Sequence, residues 1–411
     1  MPDNRFKIPA KLLAAALIIL TALSACKQET EPVLEEKTEL VIWYYWDLGK
    51  LRREFADLID EFNRSQDRIV IRAQYVPDES FKKKMALAAA DDELPDLALV
   101  DSSDFRYMHE NHPFIDLTGE ISELEEYFPK ALEPCTIDGR QYGLPFGVNC
   151  LALFCNKESL NRAGRKPPET WSEFYDTAIA LDGEGMDGFA ISALQSEEAA
   201  YSFLPVLWSM GGSEDSLDSE ESLAAFGLFG RLSEEGVLSK QCISMTLSDT
   251  MEQFAAGKIA MMFNTPMTVE AIRSKNPGLD FEVVPLPAGE EPVTIAGGEI
   301  FGVTCEEHRQ EAVEFLRFVA DKDRMEGYMD EFGFLAPRAD VMKNQFKNDP
   351  DRRLFVTYYA HARTRENMAS WPKLSLVITD ALSQVIIGES DEAEILKAAA
   401  GEISEIREEI R

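Results

Sequence analysis

The sequence predicts an α/β protein built from two units, and two observations carry this prediction. Strand-like and helix-like segments alternate in the order βαβαβ between residues 40 and 100, which predicts a parallel sheet covered by helices. Residues 136–181 then leave this region and begin a new α/β unit. With 411 residues, 45% of them hydrophobic, the chain is long enough for two cores.

Periodicity defines the elements of the first region. Residues 40–45 are apolar and aromatic, as in a strand, and apolar residues between 51 and 62 then recur at helical spacing. Residues 69–75 alternate like a second strand. Residues 81–90 predict a second helix, and residues 97–100 predict a short third strand. These five segments make up the βαβαβ pattern.

The crossover region begins with a turn at residues 138–139 and continues into an almost wholly apolar run at 150–155. Such a run is typical of a strand buried on both faces. A short helical segment then ends at Gly164. Thr170, with Glu173 three residues later, forms the capping-box pattern that starts the next helix.

The rest of the chain continues as an α/β pattern. Its predicted strands are residues 189–191, 258–263 and 281–284, and its predicted helices are 201–210, 251–256 and an amphipathic final helix over 396–410. The final helix is too short for a coiled coil, so we expect it to pack on the second unit.

The N-terminal segment predicts export. A basic start and a mostly apolar run from Leu12 to Ala25 precede Cys26, and this run is too short to span a bilayer as a helix. The sequence at residues 23–26 resembles a bacterial lipobox, in which the chain is cut before a cysteine that is then lipidated. An ordinary secretory signal is the alternative. We expect a lipoprotein signal peptide at 1–25, a lipid (palmitate-type) anchor at Cys26 and an acidic tether at 26–38.

Composition and motifs exclude several classes of function. The net charge of −33 argues against nucleic acid as a partner, because phosphate binding needs a basic surface. The five other cysteines show no CxxC spacing, so we expect buried free thiols. We identify no HExxH motif, no zinc spacing of histidine with cysteine, no GxSxG motif and no Walker loop. The sequence therefore predicts no metal site, no cofactor, no catalytic residues and no enzyme activity.

Residues 138–164, DGRQYGLPFGVNCLALFCNKESLNRAG, followed by PPETWSEF at 167–174, resemble the crossover segment of family 1 extracellular solute-binding proteins. This family includes the maltose-type binding proteins of ABC sugar importers. FAAGKIAMMFNTP at 254–266 and WPKLSLVITDALSQVIIG at 371–388 extend the resemblance to about residues 39–400. One departure is Cys155, which stands where the family usually has tyrosine.

The resemblance implies a type II periplasmic-binding-protein fold, with two lobes joined by hinge crossings and a ligand cleft between them. Lobe 1 would hold residues 39–147 and 299–345, and lobe 2 residues 148–298 and 346–411. The implied function is that of a monomeric, exported substrate-binding lipoprotein. It would capture a sugar or oligosaccharide by hinge closure and deliver it to the permease of an ABC transporter.

A sugar presents an apolar face and a rim of hydroxyl groups, so its site needs aromatic rings and polar side chains. In α/β sheets such sites lie beyond the carboxyl ends of strands. Strand-end positions and the family resemblance together identify the candidate ligand-binding residues, which are Trp46, Asp47, Ser102, Ser103, Asp104, Asn149, Tyr201, Met267, Gly297, Gly298 and Trp371.

Several candidates have a structural alternative. Residues 102–104 fit a polar turn, and Tyr201 fits a core position. Asn149 and the pair Gly297-Gly298 fit a hinge equally well. Met267 stands where many members of the family have tryptophan, which weakens one stacking platform and argues against a maltodextrin. For Arg338, a bracing role is favoured over contact with ligand.

Three other functions remain open at this point. A non-sugar solute such as a glycerol-phosphodiester would need arginine, lysine or helix N-termini in the cleft, whereas the candidates are aromatic and acidic. An exported hydrolase would need a nucleophile with its base, or a metal, and the scarcity of histidine disfavours it. A surface adhesin that has lost transport is the third.

Overall fold

The computed structural model describes residues 37–46, 48–183, 185–289 and 291–409. The predicted signal peptide, the lipidation of Cys26, most of the tether and the candidate Asp47 lie outside the described residues. Within them, no helix combines the length and the apolar character that crossing a bilayer requires.

Helices cover much of the described chain. They are α1 Gly49–Ser65, α2 Asp78–Asp91, α3 Phe105–Asn111, α4 Pro129–Leu132, α5 Lys157–Ala163, α6 Trp171–Leu181, α7 Glu197–Ser209, α8 Glu220–Glu234, α9 Leu247–Ala255, α10 Met267–Lys275, α11 Arg309–Ala320, α12 Lys322–Phe332, α13 Ala339–Met342, α14 Pro350–Tyr358, α15 Trp371–Ile387 and α16 Glu392–Glu408.

The strands are shorter and are distributed along the chain. They are β1 Thr38–Tyr44, β2 Ile69–Tyr75, β3 Leu97–Asp101, β4 Thr136–Ile137, β5 Arg140–Gln141, β6 Gly143–Asn149, β7 Ala152–Asn156, β8 Met261–Asn264, β9 Phe281–Val284, β10 Thr294–Ile295, β11 Gly297–Val303 and β12 Ala362–Arg363.

The first sheet has five strands in the order β2-β1-β3-β11-β6. Strand β1 pairs in parallel with β2 and β3, which confirms the predicted βαβαβ region. Strands β11 and β6 add an antiparallel edge. Periodicity did not predict this edge, because β11 returns from far along the chain.

The second sheet is antiparallel, with the order β8-β7-β9. Leu153 and Cys155 of β7 enter one core and Ala152 and Phe154 enter the other, so this strand is buried on both faces as predicted. The predicted start at residue 150 is wrong, since residues 150–151 separate β6 from β7.

Two further strand predictions need correction. Residues 189–191 form only isolated bridges, from Phe189 to Leu238 and from Ala190 to Met262, so they do not make a strand. The strand predicted over 258–263 is shorter, because Gly257 takes a positive φ of 71° and β8 begins only at Met261. The first residues of the predicted strand therefore belong to a turn and not to β8.

Local signals in the crossover region are confirmed. The Thr170 hydroxyl accepts a hydrogen bond from the Glu173 N–H while the Glu173 side chain accepts from the Thr170 N–H, which is a full capping box at α6. Gly164 ends α5 with φ 64°. Four of the five described cysteines are free and buried as predicted, and Cys305 is half-buried.

Candidate functional site

A small cavity lies where β6 and β11 meet the chain segment 359–367. Its volume is about 30 Å³, which holds water but no sugar, so the cleft is closed in this structure. Polar and apolar groups share its wall, which consists of Ser102, Ser103, Lys130, Ala131, Pro134, Pro145, Gly147, Val148, Ala296, Gly297, Gly298, Glu299, Ile300, Tyr359, Thr364, Arg365, Glu366 and Asn367.

Arg365 is the central charged group of this wall. Its guanidinium donates to Glu197 Oε1 at 2.6 Å, to the Ser102 hydroxyl at 3.3 Å and to the Ala296 carbonyl at 3.3 Å. It lies 3.6 Å from an Asp101 carboxylate oxygen, and its side chain is only 4% exposed. Arg365 therefore connects the end of β3 to the start of α7.

Glu197 is held in place for this contact. Its carboxylate accepts hydrogen bonds from the indole of Trp371 at 3.1 Å and from the Ser375 hydroxyl at 2.5 Å. Both donors belong to α15, so this second helix holds the Glu197 carboxylate in position for its contact with Arg365.

A second set of contacts involves Lys130 and Asn367, which also line the cavity. Lys130 donates to the carbonyls of Tyr359, Ala360 and Ala362 at 2.8–3.1 Å. Asn367 donates to the Glu133 carbonyl at 2.8 Å. Segment 359–367 is thereby tied to the residues around α4.

Glu299 carries a buried carboxyl group at the cavity. Burial and then the nearby Asp101 carboxylate raise the pKa of Glu299 to about 8. The Tyr45 hydroxyl donates to Glu299 at 2.5 Å, and burial raises the pKa of Tyr45 as well. At neutral pH Glu299 is therefore largely protonated and can donate as well as accept hydrogen bonds.

Asp104 lies behind the cavity wall and contacts Lys82 rather than the cavity. The two charged groups are 2.6 Å apart. Burial raises the pKa of Asp104 to about 6 in spite of this lysine. The candidate Ser103 donates to Asp101 through both its hydroxyl and its N–H, so the polar turn foreseen for residues 102–104 is present and two of its side chains also reach the cavity.

The glycine pair marks the crossing between the sheets. Gly297 pairs with Asn149, and a Cβ at Gly297 would lie 2.3 Å from Asn149 Oδ1. Gly298 has φ 151°, and a Cβ there would lie 2.3 Å from the Gly147 carbonyl oxygen. The Tyr201 hydroxyl donates to Asn149 at 2.7 Å. Asn149 and Tyr201 thus pack directly behind the wall that Gly297 and Gly298 form.

The two tryptophan candidates lie in the cores. Trp46 is 5% exposed and packs at 5.5–5.7 Å against Phe55, Phe146, Phe332 and Phe334. Trp371 is completely buried. A ring that is buried on both faces cannot stack on a sugar, so these two residues are not stacking platforms in this closed form.

Two other predicted positions lie away from the cavity wall. Met267 is half-buried at the first residue of α10 and packs on the first core. Arg338 is 2% exposed and contacts Asp340 and Glu123 at 3.0 Å. The bracing role preferred for Arg338 is therefore confirmed.

Of the candidates, the structure brings Ser102, Ser103, Gly297 and Gly298 to the cavity. Sequence reasoning missed Lys130, Glu299 and Arg365. Glu299 follows the glycine pair directly and could have been found as an acid at a strand crossing. Lys130 and Arg365 carried no local signal, since Lys130 lies in a one-turn helix among apolar residues and Arg365 lies in a polar segment without periodicity.

The comparisons with known proteins agree on one class. A family model described as bacterial extracellular solute-binding protein matches residues 57–353. A binding protein of Brucella abortus is 27% identical over 293 residues, covering 67% of this chain and 70% of its own. The maltotriose-binding protein of Pyrococcus abyssi is 23% identical over 339 residues, covering 76% of this chain and 69% of its own.

The fold is shared with solved structures. The crystal structure of the cyclic alpha-maltosyl-1,6-maltose binding protein from Arthrobacter globiformis superposes with a TM-score of 0.76 at 25% identity. The match covers 90% of this chain and 99% of that one. The likeness therefore extends over almost the whole described chain and includes the two-domain α/β architecture.

Proposed function

Because this chain belongs to the family of bacterial extracellular solute-binding proteins, we propose that it is the lipid-anchored binding subunit of an ABC importer. In this proposal it is exported, carries its lipid at Cys26, captures a sugar or oligosaccharide by hinge closure and delivers it to the permease. It acts as a monomer and catalyses no reaction.

The Arg365 contacts carry this proposal. They join β3 to α7 across a cavity of about 30 Å³. A sugar can fill this cavity only if these contacts open, and opening and closing about a hinge is how binding proteins of this kind work. The glycine pair at the crossing supports a hinge there, and lobes of residues 39–147 plus 299–345 and 148–298 plus 346–411 fit the two sheets.

The wall chemistry supports a carbohydrate. Hydroxyl, carboxyl and guanidinium groups converge on the cavity from Ser102, Ser103, Glu299 and Arg365, and sugar hydroxyls need both donors and acceptors. The relatives named for maltotriose and for a cyclic maltosyl-maltose support the same class. We propose these four residues, together with Gly297 and Gly298, as ligand contacts once the Arg365 contacts have opened to admit the ligand.

A glycerol-phosphodiester is the second candidate, and the structure supplies an observation in its favour. The candidate residues identified from the sequence include no cation, whereas Lys130 and Arg365 both line the cavity. Each cation already has oxygen partners, namely the carbonyls of residues 359–362 for Lys130 and the carboxylates of Glu197 and Asp101 for Arg365. A carbohydrate therefore remains the preferred ligand.

A thermal-shift screen tests the proposal. The purified protein is heated with mono- and oligosaccharides that include maltotriose, with polyols and glycerophosphocholine as the comparison set. A ligand at about 100 times its Kd adds roughly 2.7 kcal/mol, which raises the melting temperature by a few degrees. Hits among saccharides alone support the proposal, and hits among phosphate esters alone would replace it with the second candidate.

A further inference from the structure

A cysteine, a histidine and an aspartate lie close together at the end of the first sheet that is remote from the cleft. Asp96 immediately precedes β3, and Cys305 and His308 lie between β11 and α11. Because β3 and β11 are antiparallel and place Leu97 opposite Val303, the residues beside these two become neighbours. One ligand atom of each side chain lies within 4.8 Å of the other two.

The aspartate of this cluster is held rigidly. Asp96 is 9% exposed, its Oδ2 accepts from the Val41 N–H at 2.7 Å, and its backbone carbonyl accepts from the Thr304 N–H at 3.0 Å. The other carboxylate oxygen, Oδ1, lies 2.6 Å from His308 Nδ1. One oxygen is thus fixed by backbone while the second points at the histidine.

The other two side chains are accessible and can adjust. Cys305 is the one described cysteine that is not fully buried, and it forms no disulfide. The His308 side chain is 32% exposed. The sequence between them is Cys305-Glu306-Glu307-His308, a cysteine and a histidine with two residues between them. This spacing departs from the expectation that histidine and cysteine show no zinc spacing, and the third member, Asp96, lies far away in the chain.

We propose that Asp96, Cys305 and His308 form a binding site for a divalent metal ion of the zinc class. Thiolate, imidazole and carboxylate together are ligands that Zn²⁺ accepts, with bonds of about 2.0–2.3 Å in a tetrahedral arrangement. Binding displaces the Cys305 thiol proton to solvent and removes the proton between His308 Nδ1 and Asp96 Oδ1, because both groups must present lone pairs to the ion. The Val41 contact supplies the outer hydrogen bond that orients the carboxylate.

The site is separate from the ligand cleft. Its three residues lie at the start of β3 and the end of β11, whereas the cavity is at the opposite ends of these strands. Three protein ligands leave the fourth position to water or to a group from outside. An ion here links the loop before α11 to β3 and leaves the cavity wall unchanged.

Cobalt titration tests the proposal, because tetrahedral Co²⁺ reports thiolate ligation by its absorption. The purified protein, reduced and freed of metal, is titrated with Co²⁺ and then with Zn²⁺ as competitor. We expect one equivalent of Co²⁺ with a thiolate charge-transfer band that Zn²⁺ abolishes. Cys305→Ser should remove the band, and His308→Gln and Asp96→Asn should each weaken binding about tenfold or more.

His361→Gln is the matched control, since His361 is exposed and is not one of the three ligands, and it should titrate like the parent. Thermal unfolding without metal checks that each variant is folded. The proposal is overturned if the parent shows no thiolate band. It is also overturned if Cys305→Ser and His308→Gln bind Co²⁺ as tightly as the parent.

Discussion

Arg365 joins two parts of the chain, and its removal leaves the carboxylates of Glu197 and Asp101 without their buried cation. Its guanidinium contacts Glu197 and Asp101 while being 4% exposed. Breaking a buried ion pair from one side costs about 3–5 kcal/mol. We therefore expect Arg365→Ala to lower the free energy of unfolding by about that amount in urea titrations.

Arg68→Ala is the control for this change. Arg68 pairs with Glu314 on the surface with 63% of its side chain exposed, and such pairs contribute less than about 1 kcal/mol. Equal losses for the two variants would show that the Arg365 contacts stabilise no more than a surface ion pair.

Glu299 should make stability depend on pH. Burial, with Asp101 adding, raises the pKa of Glu299 from 4.5 to about 8, so the folded state binds the proton more tightly than the unfolded chain does. The stabilisation is complete below pH 4.5 and is lost as pH rises towards 8. We expect the free energy of unfolding to fall across this window, and Glu299→Gln to flatten the fall.

Denaturant titrations between pH 5 and 8 measure this slope. Glu220→Gln is the control, because Glu220 is exposed at the start of α8 and should leave the slope unchanged. Asp104, whose pKa burial raises to about 6, contributes with the same sign, so part of the slope should survive in Glu299→Gln. An unaltered slope in that variant would contradict the prediction.

The site residues show what a sequence can reveal at this scale. Ser102 and Gly297 were found because strand ends and glycine pairs are local patterns. Arg365 was not, because its role depends on Asp101 and Glu197, which are distant in sequence. Trp46 was placed in the cleft by its position after a strand, yet four phenylalanines from three parts of the chain enclose it.

Among the elements, α6 depends on its capping box. Thr170 and Glu173 exchange hydrogen bonds at its start, and loss of such a cap costs about 1 kcal/mol. Thr170→Ala should lower the thermal midpoint accordingly. Thr357→Ala, at an exposed position inside α14, should be neutral or slightly stabilising because alanine is the better helix former. Equal changes of the thermal midpoint in Thr170→Ala and Thr357→Ala would refute the capping role of Thr170.

Strand β11 needs glycine where it meets β6. Gly298 has φ 151°, and an added Cβ would lie 2.3 Å from a backbone oxygen, so Gly298→Ala should cost roughly 2 kcal/mol or more. Gly327→Ala is the opposite case, since its Cβ would meet nothing within 4 Å inside α12. It should stabilise by about 0.5–1 kcal/mol, as unfolding titrations of the two variants can show.

Elements with a local cause were predictable and those without one were not. The parallel strands β1, β2 and β3 and the capped helix α6 follow from periodicity and capping residues. Residues 189–191 have the composition of a strand but find only isolated bridging partners, because pairing is decided by what the rest of the fold places beside them.

For the molecule as a whole, we expect ligand binding to convert an open form into a closed, more compact form. A cavity of about 30 Å³ cannot admit a sugar, so binding must proceed through an open form. Small-angle scattering should show the purified protein compacting when it is saturated with a saccharide identified by thermal shift. An unchanged radius of gyration with a saturating saccharide would count against hinge closure.

The overall architecture was the most predictable feature, because a long ordered motif at the crossover fixes which strands belong together. The state of the cleft was not predictable. Whether two units stand apart or touch depends on a few contacts between them, such as those of Lys130 and Asn367, and no periodicity encodes these contacts.

The contacts that close the cleft join two parts of the protein and need no ligand atom, and this has a cost for capture. Only molecules with an open cleft can bind ligand, so the measured affinity is the affinity of the open form multiplied by the fraction of molecules that are open. A tenfold shift of the equilibrium towards the closed form therefore lowers the measured affinity tenfold, which is about 1.4 kcal/mol of binding free energy. The contacts of Arg365 with Ser102 and Glu197 therefore compete with ligand binding. Weakening these contacts moderately should raise the measured affinity for the ligand.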